Sequence, residues 1–230
     1  MKLASLVLVN LFFAYTSALP ALAQNARLGE PTVKLVYAIK KLGFKVGEAT
    51  LAFYPQQKLD GQVVDLIAFQ ATAPKVYDEE KIYVHPQSLT PVRVERDLDL
   101  PMSGKEKITE VYESDKRRIV ITKVAGGKTT EQVINKAGQI DNIYGIIFRY
   151  RAQGSFNLGD TVEMNLPTAD IALRLVRTES LKAAGKIYRA YYMESVPSKY
   201  RIWFDVSADH LPLRIDGAVG FGSTSMVLQQ

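Results

Sequence analysis

The 230-residue chain contains no cysteine, two histidines and a single tryptophan. Without cysteine there are no disulfides, no thiolate nucleophile and no thiolate metal ligand, so stability rests on the packed core. Two isolated histidines, His85 and His210, give neither His-x-His nor His-x3-His spacing, so no preformed zinc site is encoded. They also leave little to activate a serine or threonine. No Gly-x-Ser-x-Gly elbow exists, since Gly220-Phe221-Gly222-Ser223 has the wrong spacing. Gly126-Gly127-Lys128-Thr129 lacks the leading glycine of a phosphate loop and reads as a hairpin turn. No cofactor motif occurs.

Charge of one sign is not concentrated either. The formal net charge is +5, but acids and bases interleave, as in Asp78-Glu79-Glu80-Lys81, and the densest basic cluster is only Lys116-Arg117-Arg118. A three-residue cluster between strand-like runs is a solvated turn, which argues against nucleic acid as a partner. The acidic clusters Asp78-Glu79-Glu80 and Asp97-Leu98-Asp99 lack the glycine and spaced oxygens of a calcium loop.

Lys2, an apolar run from Leu3 to about Tyr15 and a close at Ala21-Leu22-Ala23 have the form of a signal peptide, residues 1–23, cleaved after Ala23. The run falls short of the roughly 20 residues that span a bilayer. The expectation is export to a periplasm, with no transmembrane segment left after cleavage. Residues 24–230 then form one β-rich domain.

Across that domain short alternating runs are separated by polar turns, the pattern of an antiparallel curved sheet, roll or sandwich. Gly47 marks a turn or bulge. Asp141 to Arg151 departs from the pattern. Ile143, Ile147 and Tyr150, with Ile146 beside them, recur at helical spacing behind Asp141 as N-cap, with two arginines in the last turn. This predicts one helix over about 141–152, weakened by Gly145. Lys81-Ile82-Tyr83-Val84 followed by Pro91-Val92-Arg93-Val94-Glu95 reappears as Arg201-Ile202-Trp203-Phe204 followed by Pro212-Leu213-Arg214-Ile215-Asp216. Each copy reads as a β-hairpin with its histidine exposed at the turn. Together they suggest an internal duplication, with halves 33–135 and 155–230 joined by the helix. Against it stands the reading that Pro-aliphatic-Arg-aliphatic is an ordinary way to open a strand.

Glu48, Glu95, Glu163 and Glu194 lie in or beside strands, and alternation places them on solvated faces. Apolar surface is the remaining candidate. A curved sheet crossed by a helix can leave a groove bordered by Tyr144, Ile147 and Phe148 of the helix and by Trp203. The competing reading is that these residues are core.

The Gly43-to-Leu51 stretch, Ser88-Leu89-Thr90-Pro91-Val92-Arg93, the Asp141-to-Arg151 helix with Gly159-Asp160, and Trp203 to Arg214 with Gly220-Phe221-Gly222-Ser223 resemble the bacterial exported family known as domain of unknown function 3108. The resemblance implies a periplasmic β-rich protein without an assigned activity. The Trp-x-Asp and Pro-aliphatic-Arg hairpin is also similar, at the level of fold, to strands in periplasmic lipoprotein carriers, whose curved sheet holds acyl chains. The expected function is non-enzymatic binding of a lipid, another apolar or amphipathic ligand, or an envelope protein on a curved sheet. The alternatives are a cell-wall glycan hydrolase and a purely structural envelope assembly factor.

Overall fold

A computed structural model describes residues 30–101, 103–218 and 224–229. Residues 1–23, expected to be a signal peptide, and Gly220-Phe221-Gly222-Ser223 lie outside the described residues. Among the described residues fourteen strands form one antiparallel sheet: β1 (Val33–Lys41), β2 (Phe44–Leu59), β3 (Gln62–Ala73), β4 (Val76–Val84), β5 (Pro91–Leu100), β6 (Gly104–Glu113), β7 (Arg118–Ala125), β8 (Lys128–Asn135), β9 (Thr161–Leu166), β10 (Ala169–Ala183), β11 (Lys186–Val196), β12 (Arg201–Asp205), β13 (Pro212–Asp216) and β14 (Ser225–Leu228). Among the described residues the one α-helix, α1, spans Ile143–Gln153. A mainly β fold with a helix is what the alternation and the helical spacing at 141–152 implied; a single open sheet, not a sandwich, is what they could not specify.

The sheet order is β8-β7-β6-β5-β4-β3-β2-β1-β14-β13-β12-β11-β10-β9. Two meanders therefore meet where β1 pairs with β14, and the outer edges are β8 and β9. Several turns need only two residues, because both adopt positive φ: Leu42-Gly43, Asp60-Gly61, Gly126-Gly127 and Ala184-Gly185. Such turns match the twist of the strands they join. At Gly47 the β1–β2 register slips, and a Cβ there would lie 2.3 Å from the Thr72 carbonyl oxygen. The residue thus marks a bulge where only glycine admits the neighbouring strand.

The two similar hairpins share detailed geometry. Tyr83 pairs with Arg93 and Val84 with Pro91, skipping Val92; Trp203 pairs with Arg214 and Phe204 with Pro212, skipping Leu213. The turns close alike, His85 N–H to the Thr90 carbonyl and Asp205 N–H to the Leu211 carbonyl. Leu89 and His210, each two residues before the proline, both adopt left-handed backbone.

The sheet curls around α1, since helix side chains touch strands far apart in its order. Tyr144 stacks on Phe69 of β3 at 4.6 Å, Phe148 meets Phe53 of β2 at 5.4 Å, and Tyr150 meets Phe204 of β12 at 5.7 Å. The helix begins later than the expected 141, and its N-cap is Asn142, not Asp141. Asn142 Oδ1 accepts the Tyr144 and Gly145 N–H groups, while its Nδ2 donates to Glu80 of β4 at 2.9 Å. Asp141 instead accepts from the Asn165 N–H of β9 and from Arg149. Gly145, a weakness on propensity alone, lets the Leu89 carbonyl approach, since a Cβ would lie 3.0 Å from that oxygen.

Candidate functional site

Both hairpin turns close on the C-terminal half of α1. Arg151 Nε donates to the Asp209 carbonyl at 2.7 Å, and Gln153 reaches the Gln87 carbonyl at 3.5 Å. Between the turns lies an open cleft of about 410 Å³, lined by Val33, Phe53, Leu89, Phe148, Ala152 and Ala208, with Arg151 and Asp209 at its polar side. Its size falls within the roughly 300–1,000 Å³ of small-molecule sites. Burial draws the Arg151 guanidinium below its ordinary value, against the opposing field of Asp209. Its only polar contact among the described residues is the one through Nε, so its terminal nitrogens remain available to a ligand.

A second cleft of about 490 Å³ opens on the other flank, between α1 and the start of β9, bounded by Ile146, Tyr150, Val162, Arg149, Gln153 and Asp160. It is larger but more mixed in character. The first better matches an apolar ligand because it pairs two aromatic rings with one guanidinium.

Of the four residues expected to border a groove, Tyr144, Ile147 and Phe148 lie together on α1 and are buried. Phe148, 6% exposed, is the one that lines the cleft. Trp203 is separated from them. It alternates with Phe204, which faces α1, so Trp203 belongs to the opposite sheet face. There it meets Tyr192 at 4.9 Å, lies beneath the Arg214 guanidinium at 4.6 Å and donates to Glu179 at 2.7 Å. Arg177 covers Tyr192 in turn at 4.0 Å. Arg177, Tyr192, Trp203 and Arg214 are register partners across β10 to β13, a ladder of rings capped by cations on that face of the sheet. A groove shared by Trp203 and α1 is therefore not formed.

His85 is exposed at its turn, but His210 is not simply a solvated turn residue, because it stacks on Phe156 at 4.0 Å. The four glutamates have separate surroundings: Glu48 pairs with Lys45, Glu194 accepts from Tyr192, Glu95 lies beside Tyr83, and Glu163 is exposed.

Alternation concealed a buried polar cluster at the N-terminal end of α1. Arg96 of β5 clasps Asp78 through two bonds, of 2.8 and 2.6 Å, with Glu80 at 3.7 Å. Asp78 and Glu80 are both buried. Burial pushes the Glu80 carboxyl up from 4.5 to about 7, opposed by Arg96 and Asn142 and reinforced by Glu110 and Asp78. Burial likewise raises the Tyr144 hydroxyl, a buried polar atom without a hydrogen-bond partner among the described residues. The available signal was parity: Asp78 and Glu80 share a sheet face with Ile82 and Val84, which are core. Among the described residues no group of three or more histidine or acidic side chains is placed to hold a metal ion.

The model of the family described as protein of unknown function (DUF3108) matches residues 33–229, and the chain belongs to that family. No curated protein and no solved structure matches it.

Proposed function

We propose that this DUF3108 protein is a non-enzymatic periplasmic binding protein for an apolar or amphipathic ligand, held in the cleft between its two hairpin turns. One observation carries the reading: an open apolar cleft with Phe53 and Phe148 on its wall and, beside them, a half-buried arginine with unengaged terminal nitrogens. Such a site suits an acyl chain whose polar end lies against Arg151, since apolar area supplies affinity and a few polar groups fix orientation. Residues 1–23, with the form of a signal peptide, support the periplasmic setting.

The test is titration of the purified protein with a fluorescent fatty acid, alongside Ala152→Trp and Arg151→Glu. Ala152 is exposed and lines the cleft, so a tryptophan there fills the space without entering the core. Saturable binding lost in Ala152→Trp and weakened in Arg151→Glu, both folded, is expected. No binding of any component of a lipid extract, or equal binding by all three proteins, removes the proposal.

A further inference from the structure

The sheet's two edges are treated differently. At β9 the preceding chain lies alongside: Asp141 N–H donates to the Asn165 carbonyl and the Asn165 N–H is held by the Asp141 carboxylate. The β8 edge has no such cover among the described residues. Its register with β7 is unbroken, it contains no proline, and every side chain from Lys128 to Val133 is exposed. Natural edges are blunted by bulges, prolines, charged side chains or covering segments; β8 has charges only at Lys128 and Glu131 and is otherwise a regular template for another strand.

Which backbone groups are free follows from one bond. Lys136 N–H donates to the Arg117 carbonyl, so residues at even positions of β8 bond to β7. Thr129, Glu131, Val133 and Asn135 therefore direct their N–H and C=O outward. On the same sheet face a row of valines, Val111, Val120 and Val133, runs across β6, β7 and β8 to this edge, with Val133 47% exposed.

We propose that β8 is the seam of a homodimer, pairing antiparallel with β8 of a second copy about a two-fold axis at Gln132. This register sets Glu131 opposite Val133 and Thr129 opposite Asn135, so each outward group finds a partner. Sliding the axis to Glu131 shortens the overlap and opposes glutamate to glutamate. Sliding it to Val133 leaves Thr129 without a partner. In the preferred register the only directly opposed like charges, Lys128 and Lys136, fall at the strand's ends, where Asp170 engages Lys136 at 2.7 Å, and the two Glu131 side chains are offset diagonally instead of facing each other. The strip of valines would continue across the seam. A seam of one strand pair buries less than a standard interface, so the dimer is concentration-dependent.

The absence of native cysteine gives a direct test on the full chain. Gln132→Cys places two thiols across the axis in a non-hydrogen-bonded pair about 4.5 Å apart between Cα atoms, inside the roughly 4.4–6.8 Å a disulfide accepts. Under mild oxidation Gln132→Cys is expected to yield a covalent dimer, and Thr130→Cys, which faces Ile134 of the other copy, far less. Val133→Pro deletes an outward N–H without touching the β7 ladder. It should weaken dimerisation in sedimentation equilibrium by about tenfold or more while circular dichroism stays native. A wild-type protein that remains monomeric at high concentration overturns the proposal. So does equal crosslinking at both cysteines, or an edge that pairs only with a different protein.

Discussion

Replacing Glu80 by glutamine should make the protein more stable at pH 8 and leave it nearly unchanged at pH 4. The carboxyl is buried beneath α1, accepts from Asn142 at 2.9 Å and titrates near 7 in the folded state against 4.5 when unfolded. The folded protein thus holds the proton more tightly. Its stabilising effect is complete below 4.5 and is lost as pH rises through 7. At about 1.4 kcal/mol per unit, the wild-type chain loses on the order of 3 kcal/mol over that interval through this one group. Glutamine keeps the shape and the acceptor for Asn142 but never ionises, and Arg96 keeps its two bonds to Asp78. Urea unfolding of both proteins at the two pH values isolates the effect, because Glu110 and the other titrating groups are common to both. A Glu80→Gln protein less stable than wild type at pH 8, or a difference independent of pH, would show that burial of the Glu80 carboxylate is not what costs stability at high pH.

Asn142→Ala removes both the helix cap and the link to Glu80 and should cost about 1–2 kcal/mol from the cap alone, read as a lowered urea midpoint. Phe148→Ala should cost about 3–5 kcal/mol and enlarge the cleft wall, so that ligand affinity changes together with stability. Trp203→Phe forfeits the bond to Glu179 at 2.7 Å and should cost about 1 kcal/mol with no change in ligand binding; altered binding would place Trp203 in the site after all. Gly145→Ala, favourable on helix propensity, should instead destabilise, because the new methyl meets the Leu89 carbonyl at 3.0 Å; a raised melting temperature would show that the turn yields.

Strands were legible because each meander alternates apolar and polar residues and turns at glycine, so β6, β7 and β8 follow directly from their composition. The repeated hairpin was legible for the same reason, down to its proline and arginine. The neighbour of β1 was not, since its pairing with β14 joins the two ends of the domain and no local pattern encodes so distant a contact. The helix start shifted because two adjacent side chains could both cap it. Tertiary partners decided, with Glu80 claiming Asn142 and Asn165 claiming Asp141. Trp203 illustrates a signal present but overlooked: a residue next to Phe204 in a strand faces the other way, so only one of the two could meet α1. The Asp78-Glu80 pair failed for the opposite reason. Its neighbours Tyr77, Glu79 and Lys81 are polar too, which hid the face that is buried.

Occupancy of the cleft between the hairpin turns can be read by native mass spectrometry of protein exported to a periplasm. An amphipathic molecule bound in defined proportion to the wild-type chain and missing from Ala152→Trp is the expected result. A wild-type protein carrying nothing, or carrying the same molecule as Ala152→Trp, would contradict it.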